Sequence, residues 1–410
     1  MIRPDERQIT QPVPILLHES YFTQFYGAQI GVYNLLRYID RTKVTPLVVC
    51  PGEGVFTERV RALGVEVVVV PLPPDLTVMG GMLLRSSIVE RPSQFIRALP
   101  QVLELARLIR ARKIRLMYCD LTRSVLSSGW AAKLTGIPVV WHVKGDKLGR
   151  ADDIAYLLSD RVVSVSENVR KVLCQRWRST RKVVCVHDGI PLDRFNPSVS
   201  GRRVRTELGF TDDHVVVGTV GSLGPRKGHH VFIRMAELVA AQHPAARFVI
   251  VGDISHEGDL PYKQHLLSLG QRLMAEGRLV FTGWRDDMPE VYAAMDVFTL
   301  ASSAEGLPLT VLEAMAMAKP TVSSRTVSAD ELVVDGKTGY VVPIDDAPAM
   351  AAAVSRLIDE RDLRIAMGAA ARDRAATGFS VERMVRDMER IFLETLRKPT
   401  GRAVCEALPV

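Results

Sequence analysis

A chain of 410 residues with 47% hydrophobic and 24% charged side chains is too long for one small core and has the composition of a globular protein of two ordinary domains. Its net charge of +7 comes with only 6% aromatic residues and no reading motif, which argues against nucleic acid as a partner. The opening MIRPDERQIT lacks the apolar stretch of a secretory signal, and no run approaches the roughly 18 apolar residues of a membrane span, so the expected location is the cytoplasm. From the amino end, short apolar runs alternate with amphipathic segments of helical length: VPILLH, TPLVVCP, VEVVVVPL, IRLMYCD, PVVWHV, RVVSVS and KVVCVHDG. Runs of Val and Ile without polar alternation predict strands covered on both faces, and hence a parallel sheet. Residues 73–94 break the rhythm and predict a functional loop or a short helix. The rhythm pauses again at 196–213, where the domain boundary is expected. A second series follows: HVVVGTVGS, ARFVIVGDI, LVFTGW, DVFTLAS, PTVSS and TGYVVPI. Two doubly wound α/β domains are expected, the second over 196–379. In the tail, Val381, Met384, Val385, Met388, Ile391 and Phe392 form a helical stripe that needs a cover.

Charge is unevenly spread. Residues 85–115 hold Arg85, Arg91, Arg97, Arg107, Arg110, Arg112, Lys113 and Arg115 against Glu90 and Glu104. This segment suits an anionic membrane surface or an acidic acceptor; the plain alternative is a solvated helix whose basic end complements its dipole. Cys50, Cys119, Cys174, Cys185 and Cys405 are scattered and show no C-x2-C pair, so neither a disulfide framework nor a zinc site is expected. His18, His187, His214, His243, His256 and His265 share no spacing with carboxylates, and no metal is expected.

The richest stretch is SSAEGLPLTVLEAMAMAKP, residues 302–320. Ser302 and Ser303 end an apolar strand, Gly306 permits a turn, and Pro308 suits a first helical position, so a helix is predicted from near Leu307. Its free N–H groups and positive pole favour a phosphate. Glu305 lies in the loop beside that pole, and Glu313 lies on the helix, on the face of Thr310, while Leu309, Leu312 and Ala316 can face the sheet. The plain alternative is a loop-to-helix corner with two solvated carboxylates.

This stretch resembles the E-x7-E signature of retaining glycosyltransferases of family 4, which have the GT-B fold. The resemblance implies two Rossmann-like domains facing a central cleft, with a last helix that crosses back, so that 1–195 with 380–410 make the acceptor-side domain and 196–379 the donor domain. It also implies a nucleotide-sugar donor, with Glu305 near the transferred sugar, the helix start at Gly306 and Leu307 near the diphosphate, and Glu313 on the ribose.

The segment GTVGSLGPRKGHH, 218–230, is a poor dinucleotide fingerprint. Gly218, Gly221 and Gly224 are spaced G-x-x-G-x-x-G, and Asp253 comes 32 positions after Gly221 where about 20 are wanted. It resembles the family's diphosphate loop, with Lys227 and Arg226 as its cations; Ser222 stands where an Arg is often found. His142, at a strand end, matches the family's strand-end His, which implies a place facing the donor sugar; without that match a structural role is the simpler reading. Gly27 matches one glycine of the family's Gly-Gly pair and would approach the donor phosphate. Tyr21, Phe22, Phe25 and Tyr26 either line an acceptor groove or simply pack. His229 and His230, which open a helix, are weaker candidates.

The reading is a retaining, metal-independent transferase without a cofactor. It would move a sugar from a UDP- or GDP-sugar to a hydroxyl of a lipid-linked, polysaccharide or small-molecule acceptor, with the leaving phosphate taking the proton. The membrane's inner face is a peripheral docking place. The rival readings are a nucleotide-sugar epimerase or phosphorylase of the same fold, and a binding regulator without turnover.

Overall fold

The computed structural model describes residues 11–397 apart from 24, 73–91 and 146, with backbone alone for 92–97. Of the loop expected over 73–94, residues 73–91 with the cations Arg85 and Arg91 therefore lie outside the described residues, as does the side chain of Arg97, while 92–94 open the helix Pro92–Ala111. The chain forms two compact units, one running to Asp188 and resuming at Val381, the other spanning Gly189–Ser380.

In the first unit seven parallel strands form one sheet: β1 (Val13–His18), β2 (Val44–Cys50), β3 (Glu66–Val69), β4 (Leu116–Cys119), β5 (Val139–Val143), β6 (Arg161–Ser164) and β7 (Val183–Cys185), in the order β3-β2-β1-β4-β5-β6-β7. The central strands β1, β4 and β5 are buried almost throughout, as expected of mainly apolar strands covered on both faces. Strand order reverses between β1 and β4, the place where open parallel sheets hold ligands beyond their carboxyl ends. His18 is registered opposite Cys119, and Cys119 opposite Trp141. Glu19, Asp120 and His142 therefore follow one another across three neighbouring strand ends.

The helix Val381–Arg397 completes this unit. Its stripe of Val381, Met384, Val385, Met388, Ile391 and Phe392 is buried in one cluster with Val32, Leu36 and Tyr118, and the Phe392 ring meets the edge of Tyr118 at 5.8 Å. Glu389, buried on the same helix, accepts from the Asp40 N–H at 2.8 Å and from Lys43 at 3.1 Å, so its charge is paired.

The second unit has β8 (Val215–Val220), β9 (Ala246–Val251), β10 (Leu279–Phe281), β11 (Val297–Leu300), β12 (Thr321–Ser324) and β13 (Gly339–Val342) in the order β10-β9-β8-β11-β12-β13, again parallel. Its switch point falls between β8 and β11, the strands that carry the glycine-rich segment and the two-glutamate segment.

The units part at Gly189, ahead of the boundary expected at 196–213. The intervening residues are anchored in the second unit: Ile190 N–H bonds to the Phe379 carbonyl at 2.8 Å, and the Arg372 guanidinium donates to the carbonyls of Phe195 at 2.6 Å, Ala316 at 2.6 Å and Leu192 at 3.3 Å. These anchors are remote in sequence, so composition near 190 gives no sign of them.

Candidate active site

In the second unit the loop after β8 and the loop after β11 cross. Gly228 has φ +68, and a Cβ there would lie 2.0 Å from the Ala301 carbonyl oxygen, so both backbone conformation and space demand glycine. Ser303 N–H donates to the Arg226 carbonyl at 2.9 Å, and the Arg226 guanidinium returns a bond to the Ala304 carbonyl at 2.6 Å. This lacing brings three candidate side chains together. Lys227 Nζ lies 2.7 Å from Glu305 Oε1, and Arg226 Nη1 lies 3.3 Å from Oε2. Burial alone would raise the Glu305 carboxyl, but the neighbouring Lys227 and Arg226 charges outweigh it and hold it below the ordinary range. The carboxylate stays ionised, and a Cβ at Gly221 would lie 3.5 Å from the Lys227 side chain, so the stem of Lys227 runs beside that glycine.

Ser222 contributes its carbonyl, which accepts from His229 Nε2 at 3.1 Å. Burial pushes the His229 imidazole down to about 4, so it is neutral and ties down the loop without adding charge. The helix expected near Leu307 begins two residues later, spanning Leu309–Ala316 with Pro308 as an extended cap at ψ 111. A proline disfavours helical backbone in the residue before it, which keeps Leu307 and Gly306 in the loop. The Gly306 carbonyl accepts from the Ser328 hydroxyl. Val311 N–H closes the first turn on the Pro308 carbonyl at 3.1 Å, so the amides of Leu309 and Thr310 precede the helical ladder. Glu313 faces inward and is not solvated. Tyr292 OH donates to its Oε2 at 2.7 Å. Burial pushes its carboxyl up to about 7, a rise that Tyr292 and Arg194 only partly offset.

The first unit holds the other two candidates. Gly27 is the first residue of the helix Gly27–Tyr38. His142 lies in β5, buried, with Nδ1 2.8 Å from Tyr118 OH. Tyr118 OH donates to Asp120 Oδ1 at 3.1 Å, so its oxygen accepts from His142 Nδ1–H and Nε2 is left as a bare acceptor. That Nε2 has no hydrogen-bond partner among the described residues. Burial, aided by the Lys144 charge, keeps the imidazole well below its ordinary range and so neutral.

Around it stand residues that sequence reading passed over. Lys144 Nζ lies 2.8 Å from Asp188 and 3.6 Å from Asp120; burial opposes its charge, but the two carboxylates hold it protonated. Glu19, whose Oε1 accepts from Tyr21 N–H at 2.8 Å, and Asp120 are both held above the usual carboxylate range, chiefly by burial. No local motif marks this row, since only the adjacency of β1, β4 and β5 assembles it. Of the aromatic group, Phe22 and Phe25 pack on the first core. Phe25 meets Tyr33 edge-on at 5.4 Å, with the Arg59 guanidinium 4.2 Å over its ring. Among the described residues no group of three His, Cys, Asp or Glu is placed to hold a metal ion.

Two family models match successive parts of this chain: "Glycosyltransferase Family 4" over residues 25–194 and "Glycosyl transferases group 1" over 214–360. The chain belongs to glycosyltransferase family 4. The transferase is 25% identical over 322 residues, 74% of its length and 81% of the relative's, to the UDP-Gal:alpha-D-GlcNAc-diphosphoundecaprenol alpha-1,3-galactosyltransferase of Escherichia coli. It is 27% identical over 375 residues, 87% of its length and 89% of the relative's, to a GDP-mannose-dependent alpha-(1-6)-phosphatidylinositol monomannoside mannosyltransferase of Mycobacterium tuberculosis. Among solved structures, Anabaena HepE in complex with UDP and glucose superposes with a TM-score of 0.78 at 21% identity, over 92% of the transferase and 99% of that chain. The fold is thus GT-B, and the activity is glycosyl transfer.

Proposed function

We propose that the transferase moves a sugar from a UDP- or GDP-sugar, with retention and without a metal, to a hydroxyl of a lipid-linked acceptor. The observation that carries this reading is the cluster of Lys227, Arg226 and Glu305 at the switch point between β8 and β11. Two cations and a helix start are gathered where an open parallel sheet binds phosphate. In a metal-free reaction, charge developing on the leaving diphosphate must be met by such groups, which are already in place before the reaction begins. Lys227 and Arg226 take the diphosphate, together with the loop at Gly306 and Leu307 and the first free amides of the helix beyond. Ser222 borders the same phosphates. Glu305, released from part of its ion pair when the diphosphate arrives, faces the departing sugar, and Glu313 accepts from the ribose hydroxyls. By the family resemblance, His142 takes the sugar end of the donor through its bare Nε2, and Gly27 its phosphate end. The family resemblance favours the same-face route, in which the leaving phosphate takes the acceptor proton, over the covalent route of retaining glycosidases.

The acceptor class rests on the relatives, whose names specify a diphosphoundecaprenol-linked sugar and a phosphatidylinositol mannoside. No helix among the described residues is long and apolar enough to cross a membrane; a lipid-linked acceptor of this kind would be met at a membrane surface. The deciding experiment incubates the protein with labelled UDP- and GDP-sugars and a bacterial lipid extract, with and without EDTA. Label in the lipid fraction, with the donor's anomeric configuration kept, supports the reading. Isomerised donor would establish the epimerase, and saturable binding without product would establish the regulator.

A further inference from the structure

We infer that Tyr118, backed by Asp120, is a positioning residue that fixes the tautomer of His142, and that the transferase thereby selects its donor sugar by a hydroxyl able to donate a hydrogen bond. The inference rests on the place given above to His142 at the sugar end of the donor, and its first test is read without any donor. Tyr118 is registered opposite Val140 on the neighbouring parallel strand. Two residues onward on each, Asp120 just past β4 and His142 on β5 fall on the same face as Tyr118, because side chains alternate along a strand. All three are buried. The Tyr118 ring is held from both sides, edge-on to the His142 ring at 6.0 Å and to Phe392 at 5.8 Å.

Hydrogen bonds in this row can run in one direction only. An ionised carboxyl accepts and cannot donate, and the Lys144 ammonium, 3.6 Å from Asp120 Oδ1, favours the ionised form. Tyr118 has a single hydroxyl hydrogen, and it goes to Asp120 Oδ1 at 3.1 Å. What the phenol offers His142 Nδ1, 2.8 Å away, is therefore a lone pair, and Nδ1 carries the imidazole's proton. Asp120 Oδ1 is itself 3.9 Å from Nδ1, beyond hydrogen-bond reach, so the carboxylate acts on His142 through Tyr118. The consequence falls on Nε2, a buried acceptor with no partner among the described residues. Such an atom is unfavourable until a donor reaches it. A sugar hydroxyl supplies that donor. A hydrogen in the same place leaves Nε2 unpaired, and a fluorine, which can only accept, sets one lone pair against another.

The test uses the full chain labelled with 15N-histidine, ligand-free, at about pH 8, where an ordinary imidazole is neutral. The His142 signal is the one of nine that disappears in His142→Gln. It should show a protonated Nδ1 and a bare Nε2. Tyr118→Phe keeps the ring and its packing but removes the accepting oxygen, so the proton should spread to Nε2. Binding is then measured for UDP-galactose and GDP-mannose, and for analogues of each with one sugar hydroxyl replaced by hydrogen or by fluorine. At one position of the sugar, wild type should bind the fluoro analogue about 10–100-fold more weakly than the parent and no better than the deoxy analogue. In Tyr118→Phe that factor should fall to about threefold or less, because an Nε2–H can donate to fluorine. The factor compares ligands on one protein, so a general loss of stability in the variant does not enter it. A protonated Nε2 in wild type, no position that is sensitive to fluorine, or the same fluorine factor in both proteins would each overturn the inference. A chain that shows the expected tautomer yet binds no UDP- or GDP-sugar would instead refute the proposed function.

Discussion

Glu313→Gln separates what this carboxyl costs the fold from what it does for the ligand. Its carboxyl is raised from 4.5 to about 7 by burial. A group whose folded pKa lies above its unfolded value adds stability that is lost as pH rises through the folded value. Wild type should therefore weaken between about pH 4.5 and pH 7, by about 3 kcal/mol for a shift of this size. Glutamine never ionises, and its carbonyl can keep the 2.7 Å bond from Tyr292. Allowing about 1 kcal/mol for a buried amide NH2 that glutamate lacks, the variant should be about 2 kcal/mol more stable than wild type at pH 8 and no more stable at pH 5. In scanning calorimetry of the ligand-free protein this is a rise of about 4–8 °C in the second unit's transition at pH 8 alone. Nucleotide diphosphate should meanwhile bind about tenfold or more weakly, because the ribose hydroxyls lose a charged acceptor. An equal difference from wild type at both pH values would show that Glu313 titrates normally and refute the burial argument. Unchanged affinity for both UDP and GDP would refute the ribose assignment.

Lys227→Ala should lower kcat/KM for transfer by about 10²–10³ without unfolding the second unit, and unchanged steady-state rates would remove Lys227 from the diphosphate site. Gly228→Ala should cost about 3 kcal/mol or more in urea unfolding, since its Cβ would strike the Ala301 carbonyl at 2.0 Å; Gly277→Ala, at φ +65 with open space around it, should cost about 1 kcal/mol, and equal losses would mean that the loop crossing is not tight. Transfer should survive exhaustive EDTA treatment; activity lost to chelation and restored by Mg²⁺ or Mn²⁺ would overturn the metal-free reading.

Much of this architecture is legible locally because it is written in short segments. The Val and Ile runs announce both parallel sheets, and residues 302–320 announce a loop, a helix and two carboxylates. What resists reading is whatever two distant segments make together. In sequence Glu313 reads as facing a ligand or, on the plain alternative, solvent; that Tyr292, 21 positions away, helps wall it in is not written locally. Glu305 meets Lys227 across 78 positions, a contact that follows only once β8 and β11 are known to be neighbours. The row Glu19, Asp120 and His142 depends in the same way on the order β1-β4-β5. Arg372, which holds 192–195 in the second unit from as far as 180 positions away, is why the division at Gly189 has no local mark. The helix start was displaced by a simpler cause: Pro308 can open a helix as its first residue or cap it, and the extended ψ found here selects the second.

The helix Val381–Arg397 gives the transferase an order of assembly. It supplies Met384, Val385, Met388, Ile391 and Phe392 to the core of the unit whose strands lie between residues 13 and 185. On the ribosome, the first-made half must wait, with an open apolar seam, until the last helix has emerged. Gly189–Ser380 contains its whole sheet in one uninterrupted stretch and can close meanwhile. Domains usually complete themselves from the amino end as they are synthesised; here the later unit is free to finish first. A chain stopped at Ser380 would therefore keep a sound second unit while leaving Tyr118, Val32 and Leu36 uncovered on the first.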